Sequence, residues 1–260
     1  MKKILENKTI LITRNFEESE KEILLLKTNG AEVICFPANK IEKINNSEKI
    51  KSVLKKTDYI NFSSVNAVKF FLENINYDIS LIPQNVKFVA VGEKTKEYCI
   101  SENLTPVEIP EKFSTEGLLE FYKKKNVNGK SFLLPSSSKA RSELSDGLQN
   151  LGAEVFHIPV YETLKNNSDE LISEIEKVSS GKIDLFGFTS PSNFYNFLEL
   201  NNILEPQNFF NNKIISVIGD TTEKAISKKN VSVDLKPDKF TVHEMVKQII
   251  KFYENRSDLE

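Results

Sequence analysis

Tryptophan is missing from this chain of 260 residues, and only two cysteines, two histidines and nine glycines occur in it. Cys35 and Cys99 are too few for a disulfide framework and fit a reducing compartment, which points to the cytoplasm. With histidines only at 157 and 243, zinc chemistry finds no footing: His243-Glu244-Met245-Val246-Lys247 starts like a zinc-protease helix but carries Lys247 where the second histidine would stand. Cys35 and His157 are two possible ligands, which make no zinc site, and packing on strands explains both. Neither histidine is marked as a base, so no Ser-His-acid triad is indicated. Glycine is too sparse for a phosphate loop or dinucleotide fingerprint, since Val91-Gly92-Glu93-Lys94-Thr95 holds a lone glycine. No run approaches the ~20 apolar residues of a membrane span, and Ile10 to Ile12 is far shorter than a signal-peptide core. A net charge of −2 lacks the basic field of a nucleic-acid binder, so any anionic ligand is met locally.

What the chain does contain is a repeat. Gly30-Ala31-Glu32-Val33-Ile34-Cys35-Phe36-Pro37 reappears as Gly152-Ala153-Glu154-Val155-Phe156-His157-Ile158-Pro159. Each stretch reads as a helix stopped by glycine, then a strand running into proline. Tyr59 to Ser64 ahead of Asn66 to Leu72 matches Asp184 to Ser190 ahead of Ser192 to Leu198, a strand, a hydroxyl-rich turn and an amphipathic helix. Lys87 to Thr95 matches Ile214 to Thr222, and Phe113 to Leu118 matches Phe240 to Met245. Thr9 to Thr13 and Ser131 to Pro135 are short apolar runs suited to buried parallel strands. After the first, acidic Glu17, Glu18 and Glu20 suit a helix start. After the second, Ala140, Leu144, Leu148 and Leu151 form an apolar stripe. Further short strands are expected near Thr105 to Ile109 and Val231 to Leu235.

Strand and helix alternate about five times per copy, the pattern of a doubly wound parallel sheet. Two α/β domains follow, and 18 phenylalanines supply material for their cores. Tandem copies would divide near Asn126 to Lys130. The extended sequence beyond Pro37 and Pro159 allows another division, in which the chain leaves the first domain early and returns late.

Ligands of such sheets settle beyond the carboxyl ends of the strands. Those ends carry Thr13-Arg14, Ser63-Ser64, Gly92 to Thr95 with Lys94, Ser136 to Lys139 with Arg141, Thr189-Ser190 with Ser192, and Gly219 to Thr222. Helix-opening loops of this kind expose free N–H groups and a positive dipole end, fit for carboxylate or phosphate. For any single Ser or Thr the ordinary role is an N-cap. Recurrence at every strand end indicates an anion site and names no reaction. Arg14 and Arg141 stand out among three arginines, because arginine forks a carboxylate as lysine cannot.

Taken in order, Thr13-Arg14, Phe62-Ser63-Ser64, Val91-Gly92, Phe113-Ser114 with Gly117-Leu118, Pro159 to Thr163, Phe188-Thr189-Ser190-Pro191-Ser192 and Ile218-Gly219 with Thr221-Thr222 resemble the uroporphyrinogen-III synthase family over nearly the full length. The resemblance implies two similar doubly wound parallel-sheet domains, flavodoxin- or Rossmann-like, joined by a two-stranded connection. Residues 1–36 plus 166–260 would form one domain and 43–158 the other, with 37–42 and 159–165 as the connection. It further implies closure of the polycarboxylate hydroxymethylbilane, with inversion of the last pyrrole ring and loss of water, on the route to porphyrin and heme. The protein would be a cytoplasmic monomer working with no metal or cofactor, no nucleic acid and no membrane. Tyr161 matches the family's tyrosine facing the cleft, a candidate to protonate or orient the departing hydroxyl. Thr221, Thr222, Ser63, Ser190 and Arg14 match positions that grip side-chain carboxylates. Asp220 replaces the family's usual proline and puts a negative charge beside that grip.

Two other readings stay open on the residues alone. A non-enzymatic binder of an organic polyanion would keep the strand ends and have no need of Tyr161. An enzyme transferring sugars or nucleotides would lack the phosphate loop and base it requires.

Overall fold

The computed structural model describes residues 3–14, 16 and 19–257; Glu17 and Glu18 lie outside these. In chain order the elements are β1 (Thr9–Ile12), α1 (Glu20–Thr28), β2 (Glu32–Cys35), β3 (Asn39–Lys43), α2 (Ser47–Leu54), β4 (Tyr59–Phe62), α3 (Val65–Asn74), β5 (Lys87–Ala90), α4 (Glu93–Ser101) and β6 (Val107–Glu108). They continue with α5 (Thr115–Lys123), β7 (Ser131–Ser137), α6 (Glu143–Asn150), β8 (Glu154–Lys165), α7 (Ile172–Ser179), β9 (Leu185–Phe188), α8 (Pro191–Leu200), α9 (Pro206–Phe209), β10 (Ile214–Val217), α10 (Asp220–Ser227) and α11 (Val242–Ser257). The chain divides into two compact units, residues 1–40 with 164–260, and residues 41–163.

Unit 1 holds a parallel sheet in the order β10-β9-β1-β2. Alternation along β1 sends Ile10 and Ile12 to the face covered by α1 and α11, and Leu11 to the face covered by α7, α8 and α10. On that second face the phenylalanines are spent: Phe186 and Phe188 stack at 6.4 Å, and with Phe194, Phe197 and Phe210 they make edge-to-face or tilted pairs at centroid distances of 5.1–6.2 Å. Such pairs add to plain area burial.

Unit 2 repeats the arrangement as β5-β4-β7-β8, with β6 added beyond β5 and β3 beyond β8. Ile60 and Phe62 face α2, α3 and α4, whereas Tyr59 and Phe132 face α5 and α6. The two strands β3 and β8 run antiparallel: Ile44 N donates to Val160 O and Asn166 N to Ala38 O, so one index rises as the other falls. Both strands carry the chain from one unit into the other.

The repeat extends to small details. Asp58 takes the N–H of Ser131 on a carboxylate oxygen at 2.9 Å, and Asp184 takes that of Thr9 at 2.8 Å. Lys130 and Lys8 pair with these two carboxylates. Each unit therefore combines elements of both sequence copies: β1 pairs with β9 as β7 pairs with β4. Tandem division near residue 126 is ruled out, because Lys87 to Lys130 lies wholly inside unit 2.

Three local expectations change. Ser136 and Ser137 belong to β7, since pairing with β8 continues past Pro135, and the following helix starts at Glu143 rather than Ala140. The strand near Thr105 shrinks to Val107–Glu108. Around Leu235 only one bridge forms, to Ser216, because the Asp234 carboxylate takes the Ile215 N–H that a strand carbonyl would have used.

Candidate functional site

In unit 2 the carboxyl ends of β4, β5 and β7 open into a cavity of about 410 Å³ on the α5/α6 side of the sheet. Ser63, Ser136 and Arg141, expected at the strand ends, line it. So do Asn61, Phe113, Ser145 and His157, which sequence reading did not select. A signal for Asn61 was present: it is the one polar side chain in the buried strand Tyr59-Ile60-Asn61-Phe62. The Tyr122 phenol, kept protonated by burial, donates to Asn61 Oδ1 at 2.9 Å. His157 Nε2 and Ser136 Oγ are 2.7 Å apart. Burial holds the imidazole below its ordinary range, with Asp146 opposing, so His157 is neutral at neutral pH. Arg141 is 87% exposed at the rim, 3.8 Å from Glu143.

Tyr161, on β8 of the same unit, is half-buried, its ring stacked on Phe70 at a centroid distance of 5.6 Å. Its hydroxyl lies 3.3 Å from Ser64 Oγ. Ser64 itself is the N-cap of α3: its backbone is extended (φ −162°, ψ 161°) and its oxygen accepts the Ala67 N–H at 3.1 Å. The same residue thus ties a helix start to the phenol. Ser63 is exposed, and so is Lys94 in the first turn of α4. Gly92 opens that helix at φ +93° and offers no capping side chain. Thr95 is buried, so the turn can present its main chain and the Lys94 side chain to a ligand but not the threonine hydroxyl. Lys139 is exposed past the end of β7, its N–H donating to Ser137 Oγ.

The strand ends of unit 1 are more heavily committed. Thr13 Oγ1 donates to Gly187 O, Thr189 Oγ1 donates to Thr13 O, and Asn193 Nδ2 donates to Thr189 Oγ1 at 2.9 Å. These bonds lock β1 against β9. Arg14 follows directly, half-buried. Ser190 caps α8 through the Asn193 N–H and lies 3.1 Å from Ser192 Oγ, which also accepts from Asn39. Gly219 precedes α10, packed so closely under Phe240 that a Cβ would stand 2.9 Å from the ring. Thr221 is exposed in the first turn. The Thr222 side chain instead points inward, its hydroxyl fully buried, and cannot touch a ligand as placed. Asp220 is offset by Lys236 at 2.9 Å, which also binds Glu223. The negative charge of Asp220 is thus partly offset from within the unit, one ammonium being shared by two carboxylates.

Among the described residues no cluster of His, Cys, Asp and Glu is arranged to hold a metal ion, and no helix is long and apolar enough to cross a membrane. The strand ends offer hydroxyls, helix N–H groups and a phenol. Such groups are suited to hydrogen-bonding a carboxylate, and the phenol carries a transferable proton.

Known proteins extend the picture. The family model described as uroporphyrinogen-III synthase HemD matches residues 21–247. The chain is 25% identical over 239 residues to the uroporphyrinogen-III synthase of Chlorobaculum parvum, covering 90% of this chain and 94% of that one. It is 27% identical over 249 residues to the putative uroporphyrinogen-III synthase of Methanocaldococcus jannaschii, at 92% and 97% coverage. The fold is similar to the crystal structure of uroporphyrinogen-III synthetase from Helicobacter pylori (TM-score 0.64, 18% identity, 94% of this chain and 99% of that one). A mutant enzyme from Thermus thermophilus gives a TM-score of 0.61 at 15% identity, with 96% and 99% covered.

Proposed function

The chain belongs to the uroporphyrinogen-III synthase family, and from that premise we propose that the Tyr161 phenol assists the departure of the substrate's hydroxyl while the strand ends hold its carboxylates. The activity is that of a cyclising lyase of porphyrin biosynthesis acting on hydroxymethylbilane. In the step envisaged, the carbon–oxygen bond of the hydroxymethyl group breaks, the electron pair leaves with oxygen, and the phenolic proton completes a water molecule. Ring closure releases a proton, which restores the phenol. The observation that supports this role is the seat of Tyr161: a ring stacked on Phe70 and an oxygen beside Ser64 Oγ. When the Ser64 hydroxyl donates to the phenolic oxygen, the phenolic proton is free for the substrate.

Phenols are weak general acids, so this share of the rate is modest. Most of the catalysis is positioning, which presents the substituted carbon of the last ring to the reactive methylene. Arg14, Ser63, Ser190 and the α4 and α10 helix starts are the carboxylate contacts in this reading. We take the protein to work in the cytoplasm as a monomer, independently of membranes and nucleic acid; two free cysteines agree with a reducing compartment. The test is to supply freshly made hydroxymethylbilane and separate the products by isomer. Isomer III formed faster than in buffer supports the reading, and isomer I alone at the buffer rate overturns it.

A further inference from the structure

We propose that the α5/α6 cavity of unit 2 receives a single pyrrole ring of the substrate, with Phe113 against the ring face and Asn61, Ser145 and the start of α6 meeting one of its carboxylates. The synthase reading supplies the identity of the ligand, and the cavity supplies its place. At about 410 Å³ the space lies at the lower end of ligand pockets. One five-membered ring with its acid chains fits there, and a tetrapyrrole does not.

Three observations point to a carboxylate. Asn61 is only 2% exposed, and Tyr122 occupies its Oδ1, so the amide presents Nδ2 as a donor with no partner among the described residues. Asn61 lines the cavity, so an acceptor on a ligand there can take the hydrogen bond that Nδ2 offers. Ser145, nine-tenths buried and lining the same space, also has a hydroxyl without a partner among the described residues. At the start of α6, Ser142 turns its hydroxyl to Asp146 at 2.8 Å instead of capping, so the N–H groups of Glu143, Leu144 and Ser145 have no side-chain cap. All three of those residues line the cavity.

The rest of the wall suits an aromatic ring. Phe113 is 55% exposed although it borders the cavity, and Val91, Leu118, Leu134 and Leu144 form the apolar surround. Phe240, its counterpart in the repeat, is also 55% exposed but already packs on Gly219. Two carboxylates stand at the rim. Glu116 folds back on its own N–H and Ser114, and Glu143 faces Arg141, so neither fills the interior donors.

The probe is a monopyrrole bearing one acetate and one propionate chain, added to the full chain and followed by NMR of side-chain amides and histidine rings. Shifts centred on Asn61 and His157 are expected. Phe113→Ala should weaken monopyrrole binding and raise KM for hydroxymethylbilane by about tenfold, with kcat nearly unchanged and the melting temperature unaltered. Asn61→Asp, which keeps the shape and replaces the donor with an acceptor, should abolish monopyrrole binding. If that variant does not fold, the exposed Phe113 still decides. No shift in the cavity, together with an unchanged KM for Phe113→Ala while isomer III is still made, would overturn the subsite and leave the synthase reading intact. Isomer I alone would instead defeat the synthase reading.

Discussion

Ser64 shows how one hydroxyl serves two scales of structure. It caps α3 and stands beside the Tyr161 phenol, whereas its repeat partner Ser190 caps α8 and stands beside the Ser192 hydroxyl. Ser64→Ala and Ser190→Ala should each cost about 1 kcal/mol in urea denaturation, the usual loss for a missing cap. Tyr161→Phe should lower kcat about tenfold without moving the denaturation midpoint, below the ~10²–10⁴ of strong general acids. If Ser64 acts through the phenol, Ser64→Ala slows wild type several-fold and adds nothing in the Tyr161→Phe background; additive effects would deny that link. His157 gives a pH signature. Burial keeps its folded pKa below the ordinary 6.5, so an unfolded chain takes up a proton that unit 2 refuses. The stability it contributes is complete above about pH 7 and is lost as the pH falls through 6.5 toward the folded value. Urea midpoints at about pH 7.5 and 5.5 should separate in wild type and converge in His157→Gln.

At the scale of elements, the repeat made most strands and helices legible, because aliphatic runs, glycine stops and hydroxyl caps are local signals. Gly30 and Gly152 sit at φ +102° and +84°, as their place after helices implied. Gly152 leaves no room for a side chain: a Cβ would stand 2.1 Å from Asn128 Oδ1. Gly152→Ala should therefore cost about 1–3 kcal/mol in denaturant unfolding, more than the same change at exposed, uncrowded Gly129. What stayed illegible depends on partners distant in sequence. Nothing near Ser136 said that β8 would keep pairing past Pro135, nor that the Asp234 carboxylate would displace a strand hydrogen bond. The inward turn of Thr222 and the pairing of Asp220 with Lys236 were hidden for the same reason. Asn61 was visible as an oddity in an apolar strand, but its use needed Tyr122, 61 positions away.

At the scale of the whole molecule, the two units are built by exchange: β1 and β2 of the first copy join β9 and β10 of the second, and the interior of the chain makes the other sheet. Unit 2 is continuous and owns both of its core clusters. A fragment spanning residues 39–165 should therefore fold alone, with a cooperative melt and native-like helix content by circular dichroism. A fragment cut at residue 126 should not, having lost β7 and β8. The account as a whole turns on one measurement, the isomer composition formed from fresh hydroxymethylbilane in the presence of the intact chain. It predicts isomer III as the main product at a rate well above that in buffer; a product indistinguishable in isomer and rate from the buffer control would contradict it.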